Sequence, residues 1–379
     1  MKILLAATTG VGAKTFYQGF GKSLRAAGIS ATLVCPDSEI ARDFAADEAM
    51  GFIPVGYKRD PSLSEDLVAL SRSVRAVNDL RPDLVVSGSP KASLLTMISA
   101  RIVGVESLYV VHGLRYEGDR GLRRLFLMLL EAVTCSLARN VVLVGEQLRD
   151  RMVADRMIGR RKAQVLGAGS ANGVVVPISI RQRDPQQDKA GPGFRFGFVG
   201  RVTKDKGVLE LVEAWERVAV MRPGATLIVV GQIENDLKAC TDIEEFFSRS
   251  DVDYRGYITD PLEVYTELDC LVLPSYREGL PTVVLEAAAR RVPAIVSDAT
   301  GVSEPVLNGV TGTVVPARSA EALLHAMIAA IDNPSVIREM GIAARDYVAR
   351  TYDRSKVHQQ WVDLFLSVGT SGELKKRGK

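Results

Sequence analysis

The chain has 379 residues, of which 47% are hydrophobic and 25% are charged, and its formal net charge is +3. This composition is typical of a globular protein and excludes disordered and fibrous classes. The length suits two domains of about 150–190 residues each. The longest apolar runs, such as residues 125–130, are far shorter than the roughly 18–20 residues that a membrane span needs.

The start of the chain predicts a core strand and no signal peptide, because charges and glycines interrupt the first apolar stretch. The four cysteines are scattered without a Cys-x-x-Cys pair: Cys35, Cys135, Cys240 and Cys270. Isolated cysteines in apolar runs are typical of reduced core residues. We therefore expect a cytoplasmic protein.

Strands and helices alternate along the first half of the chain. Apolar runs predict strands at residues 3–7, 31–35, 84–87, 107–112 and 141–145. Amphipathic periodicity predicts helices at residues 64–80 and 122–138. Continuous apolar strands separated by such helices indicate a parallel sheet that is covered on both faces.

The same alternation restarts after a polar run that is rich in proline and glycine, at residues 181–193. Strands are predicted at residues 194–200, 225–231, 254–258, 270–275 and 293–297. Helices are predicted at residues 208–221, 263–268, 282–290 and 320–332, and two or three more at 337–368. The pattern predicts an α/β fold with two Rossmann-like domains that face each other across a cleft.

The predicted domains are residues 1–180 and 194–352, with residues 181–193 as the linker. Residues 353–379 are predicted to form a C-terminal helix and tail, and the helix is expected to pack back on the N-terminal domain.

A glycine and two cations follow the first strand of the second domain. Gly200 and Arg201 come directly after that strand, and Lys206 and Gly207 open the next helix. The glycine lets the backbone approach a phosphate, and the two cations can donate charge-assisted hydrogen bonds to it. The pattern is compatible with a diphosphate site and also with a surface turn that carries two solvated cations.

Two carboxylates flank the start of a later helix, with Glu278 just before it and Glu286 about one turn inside it. The segment that follows Glu278 consists of Gly279, Leu280, Pro281 and Thr282. Proline suits the first helical turn, and the free N–H groups there can meet an anion. The spacing would suit a nucleotide-sugar, with Glu278 at the sugar and Glu286 at the ribose. A capped helix with a solvated glutamate is the alternative.

One histidine, His112, ends an apolar strand, whereas His325 and His358 fit helical periodicity. A histidine at the carboxyl end of a parallel strand favours a ligand site over a core position.

A glycine-rich segment with Gly10, Val11, Gly12 and Lys14 follows the first strand. It fails as a Walker P-loop, because Ala13 separates Gly12 from Lys14. It matches a dinucleotide fingerprint in part, and Asp37 near the end of the second strand keeps a dehydrogenase open. The third interpretation is a loop that faces a ligand across the cleft.

The two signatures together resemble those of glycosyltransferase family 4, whose members have the GT-B fold. Gly200-Arg201-x4-Lys206-Gly207 and Glu278-x7-Glu286 occur in the expected order, ahead of a glycine-rich segment at residues 301–312. The resemblance is strong over residues 194–316 and looser in the N-terminal half. Val302-Ser303 departs from the cysteine-arginine often found there, and the cationic segment from Gly10 to Lys14 is unusual. Both departures bear on donor and acceptor identity more than on the reaction class.

The resemblance implies a role for each residue. Arg201 and Lys206 would hold the donor diphosphate, and Glu286 the ribose. Glu278 would bind the donor sugar near C3 and C4, and His112 the C6 region. The implied catalytic residues are Glu278, His112, Arg201 and Lys206, and the donor-binding residues add Gly200, Gly279, Leu280, Pro281, Thr282 and Glu286. The family retains anomeric configuration and usually needs no metal, so neither a metal nor another cofactor is expected.

The N-terminal half resembles bacterial members that build capsule, exopolysaccharide, O-antigen or lipid-linked glycans. The segments that carry this resemblance are Ser89-Pro90-Lys91-Ala92, His112-Gly113-Leu114 and residues 169–174. This likeness implies a UDP-sugar donor, frequently an N-acetylhexosamine, and a polysaccharide or polyprenyl-diphosphate-linked acceptor. The acceptor side would comprise Gly10, Val11, Gly12, Lys14 and Lys91. A UDP-sugar epimerase, an NAD-dependent dehydrogenase and a non-catalytic binding homologue are the alternatives.

Residues 81–162 hold 14 lysines and arginines against 8 acidic residues, for a net charge of +6. Arg115, Arg120, Arg123 and Arg124 lead into the apolar run at 125–130. Such a cluster predicts peripheral contact with anionic lipid on the inner face of the cell membrane, rather than a nucleic-acid partner. The alternative places the apolar run in the domain core.

Overall fold

The computed structural model describes residues 1–58, 62–179, 193–234, 237 and 241–377. The chain divides into two compact units, Met1–Gly173 with Arg354–Lys379, and Val174–Asp353. The first unit thus ends a few residues before the predicted boundary at 180 and includes the C-terminal helix. Of the predicted linker, only Gly193 lies within the described residues, and Cys240 also falls outside them.

The first unit contains a seven-stranded parallel sheet in the order β3-β2-β1-β4-β5-β6-β7. Its strands are β1 Lys2–Ala6, β2 Ser30–Cys35, β3 Gly51–Pro54, β4 Leu84–Ser87, β5 Glu106–Val111, β6 Asn140–Leu143 and β7 Ala163–Val165. All four residues of β4 are buried, as are the last four of β1. Such uniform burial requires helices on both faces of the sheet.

In the described part of this unit, seven α-helices connect the strands: α1 Gly10–Tyr17, α2 Phe20–Ala26, α3 Glu39–Asp47, α4 Leu63–Leu80, α5 Pro90–Val103, α6 Gly121–Leu137 and α7 Glu146–Ala154. Local chemistry sets several ends. The Thr9 side chain accepts a hydrogen bond from the Gly12 amide at 3.0 Å and so caps α1. Proline begins α5, where its missing N–H costs nothing, and Gly104 ends it in the left-handed conformation.

The second unit repeats the scheme with a six-stranded parallel sheet in the order β10-β9-β8-β11-β12-β13. Its strands are β8 Arg195–Val199, β9 Thr226–Val230, β10 Val252–Tyr254, β11 Cys270–Leu273, β12 Ala294–Ser297 and β13 Gly312–Val315. The helices are α8 Val208–Met221, α9 Thr241–Phe247, α10 Thr282–Ala289, α11 Ala320–Asp332 and α12 Pro334–Thr351. The core holds Trp215 and Phe196, whose ring centroids lie 6.1 Å apart.

The last helix, α13 Arg354–Arg377, belongs to the first unit. The rings of Trp361 and Phe365 pack against Phe20 of α2, with centroids 6.1 and 5.9 Å away. His358 lies 2.8 Å from Ser23 Oγ through Nδ1 and 2.7 Å from Asn172 Oδ1 through Nε2. The helix therefore fastens to its unit through both apolar and polar contacts.

The predicted fold class, two parallel-sheet α/β domains with C-terminal helices, is confirmed. Some element predictions were wrong. The strand predicted at 254–258 ends at Tyr254, because Gly256 turns the chain with φ +62°. The helix predicted at 263–268 is a short 3-10 helix, Pro261–Glu267. Among the described residues, no helix combines the length and apolar composition needed to cross a membrane.

Candidate active site

The two sequence signatures meet at one edge of the second sheet. Strands β8 and β11 are neighbours, with Phe196 opposite Cys270. The strand order reverses between them, because β9 lies on the other side of β8. Loops that leave the carboxyl ends of such strands form the usual ligand site of this architecture. Gly200 and Arg201 leave β8, and Glu278 follows β11, so the topology brings them together.

The closest contact between the two signatures is an ion pair between Lys206 and Glu278. Ser275, two residues after β11, also donates a hydrogen bond to Oε1 of Glu278 at 3.1 Å. Both charged side chains are largely buried. Two donors on one carboxylate oxygen fix the orientation of Glu278 and leave Oε2 without a hydrogen-bond partner among the described residues.

Arg201 is exposed near Asp205, and its guanidinium lies 4.0 Å from Glu234. Asp205 belongs to the first signature, and its carboxylate lies 2.5 Å from the Thr203 hydroxyl and 3.2 Å from Arg277. Burial acts to raise the pKa of Asp205, but the Thr203 hydroxyl and nearby cations outweigh it and lower the pKa below its usual value. These cations are Arg277, Arg201 and Lys206. The ionised Asp205 thus helps to hold a cationic cluster in place.

A glycine shapes the loop that carries Glu278. Gly301 has φ +75°, and a Cβ added there would lie 2.4 Å from the carbonyl oxygens of both Glu278 and Gly279. The amide of Glu278 donates to the Thr300 carbonyl at 2.9 Å. This close backbone contact fixes the segment from Glu278 to Thr282, which leads into the N-terminus of α10. The first N–H groups of a helix have no acceptor within it and can meet an anion.

The second acid of the signature, Glu286, lies in α10. The hydroxyl of Tyr265 donates to its Oε2 at 2.8 Å. Tyr265 is fully buried, and its own pKa is raised, first by burial and then by the charge of Glu286. Glu286 is therefore an oriented carboxylate rather than a mobile surface group.

His112, in the first unit, follows β5 as predicted from its place in the sequence. Its ring stacks on Phe16 with centroids 4.0 Å apart. Nε2 is enclosed against Gly88, where a Cβ would lie only 2.2 Å away, and has no hydrogen-bond partner among the described residues. Burial lowers the pKa of His112 to about 3. The ring is therefore neutral and can both donate and accept a hydrogen bond.

The predicted acceptor residues lie at the carboxyl edge of the first sheet. Gly10, Val11, Gly12 and Lys14 belong to helix α1 rather than to an extended loop, and Val11 and Lys14 are exposed. Lys91, at the start of α5, pairs with Asp66 at 2.7 Å. Asp37, which kept the dehydrogenase open, is paired with Arg42 on an exposed surface. The assignment of these residues to an acceptor stays a prediction.

Sequence reasoning missed Ser275, Asp205, Tyr265 and the role of Gly301. Asp205 lies inside the first signature, and Ser275 ends the strand that was predicted before the second, so their positions in loops that follow strands could have identified both. Tyr265 gave none, because its pairing with Glu286 follows from tertiary packing.

Two further acids, Asp251 and Asp253, flank Val252 and are not part of this site. Asp251 pairs with Arg249 and Asp253 with Arg255, at the start of β10. The described residues contain no group of three or more His, Cys, Asp or Glu side chains that could hold a metal ion.

Two family models match this chain, one on each unit. The model described as "Glycosyl transferases group 1" matches residues 180–347, and "Glycosyl transferase 4-like domain" matches residues 11–169. The chain belongs to the family 4 type of glycosyltransferases. This membership selects a glycosyltransferase over the epimerase and the dehydrogenase.

Two curated relatives of this glycosyltransferase align over most of their length. The capsular polysaccharide biosynthesis glycosyltransferase CapM of Staphylococcus aureus is 27% identical over 82% of this chain and 83% of its own. The UDP-Gal:alpha-D-GlcNAc-diphosphoundecaprenol alpha-1,3-galactosyltransferase of Escherichia coli is 23% identical over 89% of this chain and 88% of its own. Among solved structures, Anabaena Alr3699/HepE in complex with UDP has a TM-score of 0.79 at 18% identity, covering 97% of this chain and 100% of that one.

Proposed function

We propose that this glycosyltransferase moves a sugar from a UDP-sugar to a polysaccharide or a polyprenyl-diphosphate-linked glycan, with retention of anomeric configuration. The observation that carries the proposal is the joining of Lys206 and Glu278 beside Arg201, where the strand order of the second sheet reverses. At this edge of the sheet, the two cations can bind the diphosphate of a donor, and the carboxylate can bind the hydroxyls of its sugar.

The donor diphosphate would be held by Arg201 and Lys206. An ammonium group has three donors, so Lys206 can hold Glu278 and a phosphate oxygen together. The start of α10 would add backbone N–H groups to the same anion. Relatives and neighbours support a uridine donor, because the Escherichia coli relative is named for UDP-Gal and Alr3699/HepE forms complexes with UDP and UDP-glucose.

The rest of the donor would lie along the two oriented acids. Glu278 would accept hydrogen bonds from the sugar through Oε2, and Glu286 from the ribose. His112, as a neutral ring, would contact the C6 region. Comparing UDP-hexoses with UDP-N-acetylhexosamines as donors distinguishes these two classes of sugar.

Catalysis would be mainly electrostatic. As the glycosidic bond to phosphate breaks, negative charge grows on the diphosphate and positive charge on the anomeric carbon. Fixed cations facing the first charge and a fixed carboxylate near the second stabilise the transition state without reorganising. The acceptor hydroxyl would attack on the face from which the diphosphate leaves, so configuration is retained. Since protein cations balance the leaving group, we propose that no metal is required.

The acceptor proposal is based on the relatives. One is named for capsular polysaccharide biosynthesis and another for a diphosphoundecaprenol-linked acceptor. A Campylobacter jejuni relative, 29% identical over 45% of this chain, is named for a diphospho-undecaprenol acceptor too.

A panel of UDP-, GDP- and ADP-sugars in EDTA tests the donor proposal. Thermal stabilisation and slow release of the nucleoside diphosphate should select a UDP-sugar. A ligand at a hundredfold excess over its Kd stabilises the folded state by about 2.7 kcal/mol, which is readily measured. Preference for GDP- or ADP-sugars would reject the uridine assignment, and activity that EDTA abolishes and manganese restores would reject the metal-free scheme.

A further inference from the structure

Helix α6 exposes an apolar face to solvent. The exposed side chains recur every three or four residues, so they lie along one side of the helix. The exposed fractions are 85% for Leu122, 61% for Leu125, 56% for Phe126, 62% for Leu129 and 38% for Val133. We call these five residues the α6 stripe.

The opposite side of α6 faces the first unit and carries both apolar and polar side chains, with Cys135 and Thr134 buried. Glu131 accepts a hydrogen bond from the buried hydroxyl of Tyr109 at 2.8 Å. The Arg124 guanidinium lies 5.9 Å from the ring centroid of Tyr116, and its Nε is enclosed. Helix α6 is therefore apolar on its exposed side as well as on part of its packed side, and packing within the unit does not explain the α6 stripe.

Cations lie at both ends of the α6 stripe. Arg120 and Arg123 are exposed at the N-terminal end, although Arg123 also pairs with Asp119 at 2.9 Å. At the C-terminal end, the Lys162 ammonium donates to the Ser136 carbonyl at 3.3 Å. Burial lowers the pKa of Lys162, and the charge of Arg101 lies near enough to lower it further.

This distribution of charge favours lipid over a second copy of the chain. If a two-fold axis related two copies of α6, the helices would pair either parallel or antiparallel. In both cases a cationic end of one copy would lie against a cationic end of the other, and the two would repel each other. Lipid phosphates would meet cations at both ends while the apolar residues enter the interfacial region.

We propose that the α6 stripe, with Arg120, Arg123 and Lys162, docks the protein on an anionic lipid bilayer. Of the four predicted arginines, Arg124 is excluded because it faces inward. The alternative that residues 125–130 pack into the core is wrong for Leu125, Phe126 and Leu129, which are exposed. The inference rests on the proposed function in one respect, because a bilayer is where a polyprenyl-linked acceptor resides.

Vesicle flotation tests the docking without any turnover. The full chain is mixed with vesicles of phosphatidylcholine alone or of phosphatidylcholine with phosphatidylglycerol. We expect flotation with the anionic vesicles only, and a decline as salt rises. Replacing Leu125, Phe126 and Leu129 together by glutamine should lower the partition coefficient at least tenfold. The R120E and R123E double variant should lower it as well, by roughly fivefold or more for each arginine.

A matched control replaces Leu67 and Val68 of α4 by glutamine, because they are exposed to 67% and 51% yet lie outside the α6 stripe. This control should float like the unchanged protein. Unchanged melting temperatures would show that each variant folds. Absence of flotation with anionic vesicles, or equal loss in the control, would overturn the proposal. A dimer that the glutamine substitutions dissociate would assign the α6 stripe to a second copy instead. Slow donor hydrolysis, measured separately, should persist in all variants, so failed docking and failed transferase activity are distinguishable.

Discussion

Lys206 and Glu278 form an ion pair although 72 residues separate them in the chain. One belongs to the loop after β8 and the other to the loop after β11, and these strands are neighbours. The pair joins the phosphate-binding and the sugar-binding parts of the proposed donor site. Loss of either residue should therefore disturb both parts.

Removing the cations should weaken donor handling. A hydrogen bond to a charged group contributes roughly 1.5–3 kcal/mol, so Lys206→Ala and Arg201→Ala should each lower kcat/KM by about 10- to 150-fold. Steady-state kinetics with the preferred UDP-sugar measures this. Lys204→Ala is the matched control, because Lys204 is exposed in the same loop. If all three variants kept near-normal kcat/KM, the diphosphate would bind elsewhere.

Tyr265→Phe removes the hydroxyl that orients Glu286 and leaves the ring in place. We expect KM for the donor to rise about tenfold with little change in kcat, because the hydrogen bond to a carboxylate has that size. Donors that lack the ribose hydroxyls should show a much smaller difference between the variant and the unchanged protein. An equal rise in KM with those donors would mean that Tyr265 acts on general structure and not on ribose binding.

Gly301→Ala should damage the Glu278 loop. The added Cβ would press on two carbonyl oxygens at 2.4 Å, in addition to the strain of a left-handed residue at φ +75°. Gly309→Ala is a matched control, since Gly309 also has φ +75° but has no atom within 4 Å of the added Cβ. We expect Gly301→Ala to lower kcat/KM at least tenfold, whereas Gly309→Ala should cost about 1–2 kcal/mol of stability with normal kinetics. An equal loss of kcat/KM in both variants would mean that backbone strain alone lowers activity, and that the contact of Gly301 with the Glu278 loop does not matter.

Glu131 should make stability depend on pH. Burial raises its pKa from 4.5 to about 7, against weaker opposing effects of Tyr109 and Arg115. The folded state therefore keeps a proton that the unfolded chain loses, so the free energy of unfolding falls as pH rises from about 4.5 to about 7. The fall is on the order of 3 kcal/mol.

Calorimetry of the unchanged protein and Glu131→Gln from about pH 5 to about pH 8 measures this dependence. Glutamine should flatten the decline, whereas the exposed Glu245→Gln control should follow the unchanged protein. A curve that Glu131→Gln leaves unaltered would assign the dependence to another group.

Much of the fold was predictable because its signals are local. The buried strand β4 was predicted to the residue, since its three apolar residues and Ser87 lie between Asp83 and Gly88, which leaves little choice. The donor signatures were predictable for a related reason, because they follow strand ends whose adjacency the fold class dictates. Short strands such as β7, with three residues, carry too few side chains for a clear pattern.

The remaining features depend on packing between distant segments. The contact of Tyr265 with Glu286 and that of Gly301 with the Glu278 loop need the folded sheet. The orientation of α6 was also out of reach, because a helix with an apolar side looks alike whether that side faces the core or solvent. For the same reason Arg124 was grouped with exposed arginines although it faces inward.

The most direct test of the transferase proposal is the configuration of the product formed from a UDP-sugar labelled with carbon-13 at its anomeric carbon. The acceptor is a short-chain polyprenyl-diphosphate-linked glycan, and nuclear magnetic resonance reads the anomeric coupling of the product. We predict an α-linked product from an α-linked donor, with one UDP released for each sugar transferred. A β-linked product, or a rearranged UDP-sugar formed without acceptor, would contradict the proposal.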